Sequence, residues 1–159
     1  MTINWPALTA LVIDDQPLIH QLIRPMLRSV GPVNVLRAMD AREGLDILSS
    51  TKVDLALIDY LMLPVDGMKL VRRIRLGEDM ASSTMPIIMM TGDATQNTLS
   101  AALAAGINGF LCKPFSTKKM ITQIERLLSD PVPFVRTPTY FGPDRAEMVR
   151  RERTRRMEG

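Results

Sequence analysis

Apolar residues along the chain fall into five short blocks separated by stretches with a different rhythm. The blocks lie at Leu8 to Ile13, Val33 to Arg37, Leu55 to Ile58, Ile87 to Met90 and Phe110 to Cys112. Short apolar runs bounded by polar residues fit strands buried on both faces, as in parallel sheets covered by helices on both sides. Between the blocks the spacing turns helical. Leu18, Ile19, Leu22, Ile23, Met26, Leu27 and Val30 predict a first helix, with Pro25 inside it and Gly31-Pro32 closing it. Ala41 to Ser50 predicts a second, with Leu45 and Leu48 inward. In Met68 to Leu76, Leu70, Val71 and Ile74 point inward and Arg72, Arg73 and Arg75 outward. A polar loop, Gly77 to Pro86, follows. Thr95 to Ala105 is an alanine-rich helix ended by Gly106, and Ser116 caps a last one carrying Met120, Ile121, Ile124, Leu127 and Leu128. Strand and helix alternate five times, which predicts an α/β fold with a doubly wound five-stranded parallel sheet.

Four of the predicted strands end in reactive groups. The first ends in Asp14-Asp15, the third in Asp59, the fourth in Thr91-Gly92 and the fifth in Lys113-Pro114. Pro64, Asp66 and Gly67 punctuate the loop after Asp59. In open parallel sheets the ligand crevice lies at the carboxyl ends of the strands, so these groups converge on one rim. Three carboxylates at close range repel one another unless a cation sits among them. Hard oxygen donors suit Mg²⁺, which keeps an open face for phosphate. A lysine and a hydroxyl beside it suit a phosphoryl group.

These four motifs, in this order and spacing, resemble the receiver domain of two-component response regulators of the chemotaxis CheY type, over Thr9 to Leu128. The resemblance implies a flavodoxin-like (βα)5 sheet of strand order 2-1-3-4-5. It implies phosphorylation on Asp59. Asp15 would ligate Mg²⁺ directly, Asp14 directly or through water, and Asp59 and the backbone carbonyl of Leu61 would supply further oxygens. Lys113 would contact the phosphoryl oxygens and, without them, the Asp59 carboxylate, aimed inward by a cis Lys113–Pro114 bond. Thr91 would bind the phosphoryl group, and Phe110 would turn inward as Thr91 moves. Asp59, Thr91 and Lys113 are thus the expected catalytic set, with single-turnover self-phosphorylation and slow self-dephosphorylation rather than enzymatic turnover.

The sequence departs from the family pattern in three places. Leu63 intervenes between Met62 and the loop proline, Pro64. Leu61 and Asp93 hold the positions that flank the hydrolytic water, and leucine cannot orient water, so slow loss of phosphate is expected. His20 stands where an arginine is common, and is read as a surface contact rather than a relay histidine.

Composition adds bounds. The chain has 159 residues, one cysteine and one histidine, which disfavours a disulfide or a soft-metal site. No apolar run reaches bilayer length and no signal peptide is evident, so a cytoplasmic protein is expected. The net charge is +3, and all of it lies beyond Asp130, where seven basic residues face four acidic ones. The chain therefore divides into a receiver domain, residues 8–129, and a tail, residues 130–159. In the tail, Val132 to Gly142 is a proline-spaced extended strip with Phe134, Tyr140 and Phe141, and Asp144 to Glu158 is a charged helix with Asp144 as its cap.

The favoured reading is a single-domain response regulator that accepts phosphate from a histidine kinase or histidine phosphotransfer protein. It would then bind or release a target protein through the fourth helix, fifth strand and fifth helix. Output through the basic tail is the alternative, by nucleic-acid binding or by dimerisation of the aromatic strip, and the face of the fourth helix, fifth strand and fifth helix is a second candidate surface for a homodimer. Glu147, Glu152 and Glu158 weaken the tail as a nucleic-acid surface. A phosphatase of the haloacid dehalogenase class would want an aspartate where Leu61 stands.

Overall fold

A computed structural model describes residues 3–77, 83–93 and 95–159. A short 3-10 turn, Trp5–Ala7, leads into β1 (Thr9–Ile13), α1 (Pro17–Arg28), β2 (Asn34–Ala38), α2 (Ala41–Ser50) and β3 (Leu55–Asp59). Then come α3 (Gly67–Leu76), β4 (Ile87–Thr91), α4 (Gln96–Ala105), β5 (Gly109–Cys112) and α5 (Thr117–Ser129). The five strands form one parallel sheet in the order β2-β1-β3-β4-β5. This is the doubly wound fold read from the alternation. Of the predicted loop at Gly77 to Pro86, residues 78–82 lie outside the described residues.

The sheet separates two apolar layers. Leu11, Ile13, Ala56, Ile58, Ile87 and Met89 face α2, α3 and α4 on one side. Ala10, Val12, Leu55, Leu57, Ile88, Met90 and Leu111 face α1 and α5 on the other. Alternation of side chains along each strand sends successive residues to opposite layers. Side-chain caps fix the helix starts: Asp40, Asp66, Thr95 and Ser116 each accept a backbone N–H three residues on.

Two side chains lie where the sequence reading did not put them. Arg75 is buried, not outward, and shares the inward face of α3 with Val71 and Ile74. Its charge is satisfied by neutral oxygens: Nε donates to the Gly106 carbonyl at 2.8 Å, and Nη1 to the Met85 and Ser83 carbonyls at 2.7 and 3.0 Å. Nη2 donates to Asn108 Oδ1 at 2.7 Å. His20 is also buried rather than a surface contact. It lies on the α1 face of Ile23 and Leu27, and its Nε2 donates to the Asp14 carbonyl at 2.7 Å.

The tail is folded. The expected strip is an antiparallel hairpin, β6 (Phe134–Thr137) and β7 (Tyr140–Pro143), followed by α6 (Arg145–Glu158). Asp144 caps α6 by accepting from Ala146 N and Glu147 N. The hairpin uses its aromatic rings within the chain. Phe134 lies 5.5 Å from Phe141, and the guanidinium of Arg75 stands 4.8 Å over the Phe134 ring. Gly106, at φ +109°, ends α4 where a Cβ would come within 3.0 Å of the Phe141 carbonyl and of Arg75, so the hairpin and α4 meet at a glycine.

Candidate phosphoryl-accepting site

The parallel topology carries Asp14, Asp59, Thr91 and Lys113 to the same edge of the sheet. Asp14 and Asp15 follow β1, and Asp59 is the last residue of the fully buried β3. One carboxylate oxygen from each of the three acids lies within 4.8 Å of the others. Lys113 Nζ reaches back across the rim to Asp59 Oδ1 at 2.8 Å and Asp14 Oδ2 at 3.0 Å. The Lys113–Pro114 peptide is cis, as expected, and so is Leu63–Pro64. Gly67 permits this rim to close: a Cβ there would stand 2.2 Å from the Asp59 carbonyl oxygen. That close approach seats the start of α3 against the end of β3.

Electrostatics follow from burial. Desolvation pushes the Asp59 carboxyl above its ordinary range; the Lys113 hydrogen bond opposes this, and the Asp14 charge adds to it. For Lys113, burial alone would favour the neutral amine, but the bonds to Asp59 and Asp14 outweigh it and hold the ammonium charged. The rim therefore carries more negative charge than one lysine neutralises. An all-oxygen donor set of three carboxylates fits a hard divalent cation such as Mg²⁺.

Thr91 is buried beside this cluster. Its Oγ1 accepts from Asp93 N at 2.9 Å, and the Asp93 carboxylate accepts from Thr98 Oγ1 at 3.2 Å and from Thr95 N at 3.3 Å. Asp93 thus ties the strand-end hydroxyl to the first turn of α4, a connection the sequence reading did not contain. Phe110 belongs to the neighbouring strand. It is half-buried on β5, paired in register with Met89, and its carbonyl accepts from Gln123 Nε2 at 2.6 Å. Leu61, on the loop after β3, is 66% exposed.

The response regulator receiver domain model matches residues 10–125. The chain belongs to the response regulator receiver family. It is 30% identical over 117 residues to the chemotaxis protein CheY of Pseudomonas aeruginosa, covering 74% of this chain and 93% of that relative. Its fold is similar to that of CheY4 of Vibrio cholerae, with a TM-score of 0.69 and 26% identity over 75% of this chain and 97% of that one. It is also similar to the receiver domain of a sensor histidine kinase from Pseudomonas aeruginosa, which has a magnesium ion coordinated in its active-site cleft. There the TM-score is 0.70 and identity 28%, over 77% of this chain and 98% of that one. The receiver match ends at residue 125, so the hairpin and α6 lie beyond it. Among the described residues, no helix is long and apolar enough to cross a membrane.

Proposed function

We propose that this receiver accepts a phosphoryl group on Asp59 from the phosphohistidine of a kinase or phosphotransfer protein. The observation that carries the reading is the meeting of Asp14, Asp15 and Asp59 with the Lys113 ammonium at one sheet edge. An Asp59 oxygen attacks phosphorus in line. The new bond is O–P, the broken bond is P–N, and its electron pair leaves on the imidazole nitrogen, which takes a proton. Lys113 keeps the buried nucleophile ionised and then follows the transferred oxygens, stabilising charge without moving a proton. A divalent cation held by Asp14, Asp15, Asp59 and the Leu61 carbonyl would neutralise charge between the carboxylates and the incoming phosphoryl oxygens.

Thr91 exchanges its Asp93 partner for a phosphoryl oxygen, which loosens the link to α4, and Phe110 repacks on β5. A charge added at one end of the sheet so biases a two-state face built from α4, β5 and α5. The reaction is stoichiometric rather than a turnover activity, and the chain works in the cytoplasm. Output through a free basic tail is disfavoured because four of the six arginines of α6 are paired: Arg150 and Arg151 with Glu147, and Arg155 and Arg156 with Glu152.

Incubation with acetyl phosphate and Mg²⁺ tests the reading. The intact mass should rise by one phosphoryl group, and Asp59→Asn should abolish the rise; no addition, or addition surviving that substitution, overturns it. Leu61→Asn should shorten the lifetime of the adduct several-fold by giving the hydrolytic water a partner. An unchanged lifetime would remove Leu61 from the account.

A further inference from the structure

The two parts of the tail are fastened to the receiver unequally. The hairpin is anchored: Gly142 and Pro143 are buried, and a Cβ on Gly142 would meet Gly106 Cα at 3.0 Å. Asp144 N donates to the Pro133 carbonyl at 2.8 Å, which fixes the exit of the hairpin. The helix α6 is different, because none of its residues is buried. Glu147, Met148, Arg151 and Glu152 are half-buried, and their spacing makes one stripe along the helix. The polar tie from that stripe runs to the end of α5: Arg151 Nη1 donates to the Asp130 carbonyl at 2.7 Å and meets its carboxylate at 3.2 Å.

Beneath α6 lies the α4–β5–α5 face, and the two do not close on each other. A groove of about 580 Å³, open to solvent along one side, runs between them, lined by Leu99 and Leu103 of α4, Phe110 of β5, Gln123 and Leu127 of α5, and Met148 of α6. Behind the groove wall, Gln123 Oε1 is buried against Gly109 without a hydrogen-bond partner among the described residues. A helix packed into a face at interior density would leave no such groove between the two. The helix is laid over this face rather than packed into it. Its Glu–Arg pairs at spacings of three and four residues add a few tenths of a kcal/mol each to the helix independently of the face.

We propose that α6 is a displaceable cover on the α4–β5–α5 face, hinged at Asp144 on the anchored hairpin, so that the chain carries its own occupant for that face. An incoming partner must move α6 before it reaches Leu103, Phe110 and Leu127. Control by phosphorylation rests on the receiver reading and has a physical route. Thr91 holds Asp93, Asp93 holds Thr98 on α4, and α4 carries Leu99 and Leu103 into the groove wall. Release of Asp93 by Thr91 would change the surface on which α6 rests.

Hydrogen exchange on the full chain tests the cover. In the resting protein, amides of α6 and of the Leu99 to Ala105 segment should both exchange more slowly than in a free peptide. Arg151→Ala should raise exchange in both segments together, by about tenfold, while the sheet is unchanged. Mg²⁺ with beryllofluoride, a phosphoryl mimic, should do the same to the wild-type chain. The cover is refuted if α6 exchanges at the free-peptide rate in the resting chain. It is also refuted if both Arg151→Ala and Met148→Glu leave the two segments unchanged. Acetyl phosphate labelling, followed by mass on the same samples, separates the failures. Labelled Asp59 with an unresponsive α6 refutes phosphorylation control alone, and absent labelling refutes the receiver reading while the Arg151→Ala arm still decides docking.

Discussion

The acidic rim and the Arg75 socket both hold charge out of water, at opposite ends of β4 and β5. At the carboxyl ends, Lys113 bridges two of three acids, and the rim keeps a surplus of negative charge. At the other ends, the Arg75 guanidinium meets three carbonyls and one amide oxygen, with a phenyl ring stacked on it. Its burial lowers its pKa to about 10, so it stays charged at neutral pH. A charge answered by fixed dipoles has one arrangement and acts as a staple, joining α3, α4, the start of β5 and the hairpin. A charge answered by other mobile charges can be rearranged by one more ion. The difference separates the part of the molecule that is built to hold from the part that is built to change.

Removing the staple should have the largest effect. Arg75→Ala leaves the carbonyls of Gly106, Met85 and Ser83 without their donor, and should cost about 4 kcal/mol in denaturant unfolding. Neither Mg²⁺ nor a phosphoryl mimic should restore it, and the hairpin should lose exchange protection first. A loss below about 1 kcal/mol would show that the socket is not a staple.

Lys113→Ala should cost less, about 2 kcal/mol without divalent ions, because Asp59 can take up a proton and the rim is partly open to water. Here Mg²⁺ should recover much of the loss, since the cation substitutes for the missing ammonium. If added Mg²⁺ leaves the midpoint of Lys113→Ala where it was, the rim is as fixed as the socket and the contrast fails.

The smallest effect has the opposite sign. The folded-state pKa of Asp59 is raised, so its contribution to stability is complete at low pH and is lost as pH rises through that pKa. Asp59→Asn should therefore stabilise the metal-free protein at neutral pH. The gain should vanish below about pH 4, where an ordinary aspartate is protonated. Melting curves with a chelator across pH check this, and a lower Tm for Asp59→Asn at neutral pH would contradict it.

The same contrast explains what could be read in the sequence. The rim was legible because each of its members sits where a strand gives way to a turn, and a parallel sheet gathers such positions. The socket was not, because its acceptors are mostly carbonyls and every residue has one. Asn108, just before β5, was the one side chain that could have signalled it. Residue type alone suggests an outward Arg75, although its spacing from Val71 puts it on the inward face, and residue type misleads in the same way at His20, which shares a register with Ile23 and Leu27. The hairpin was seen only as an extended strip because its connection, Pro138-Thr139, lacks the glycine or asparagine that marks tight hairpins. The cap of α6 at Asp144 was visible, since capping chemistry is local.

The most direct test of the rim acting as one unit is chemical trapping. Borohydride reduces an aspartyl phosphate to homoserine, which peptide sequencing locates. After acetyl phosphate and Mg²⁺, homoserine should be found at position 59 alone, and a chelator or Lys113→Ala should remove most of it. Homoserine at Asp14 or Asp15, or none at any aspartate, would contradict the assignment of Asp59 as the acceptor.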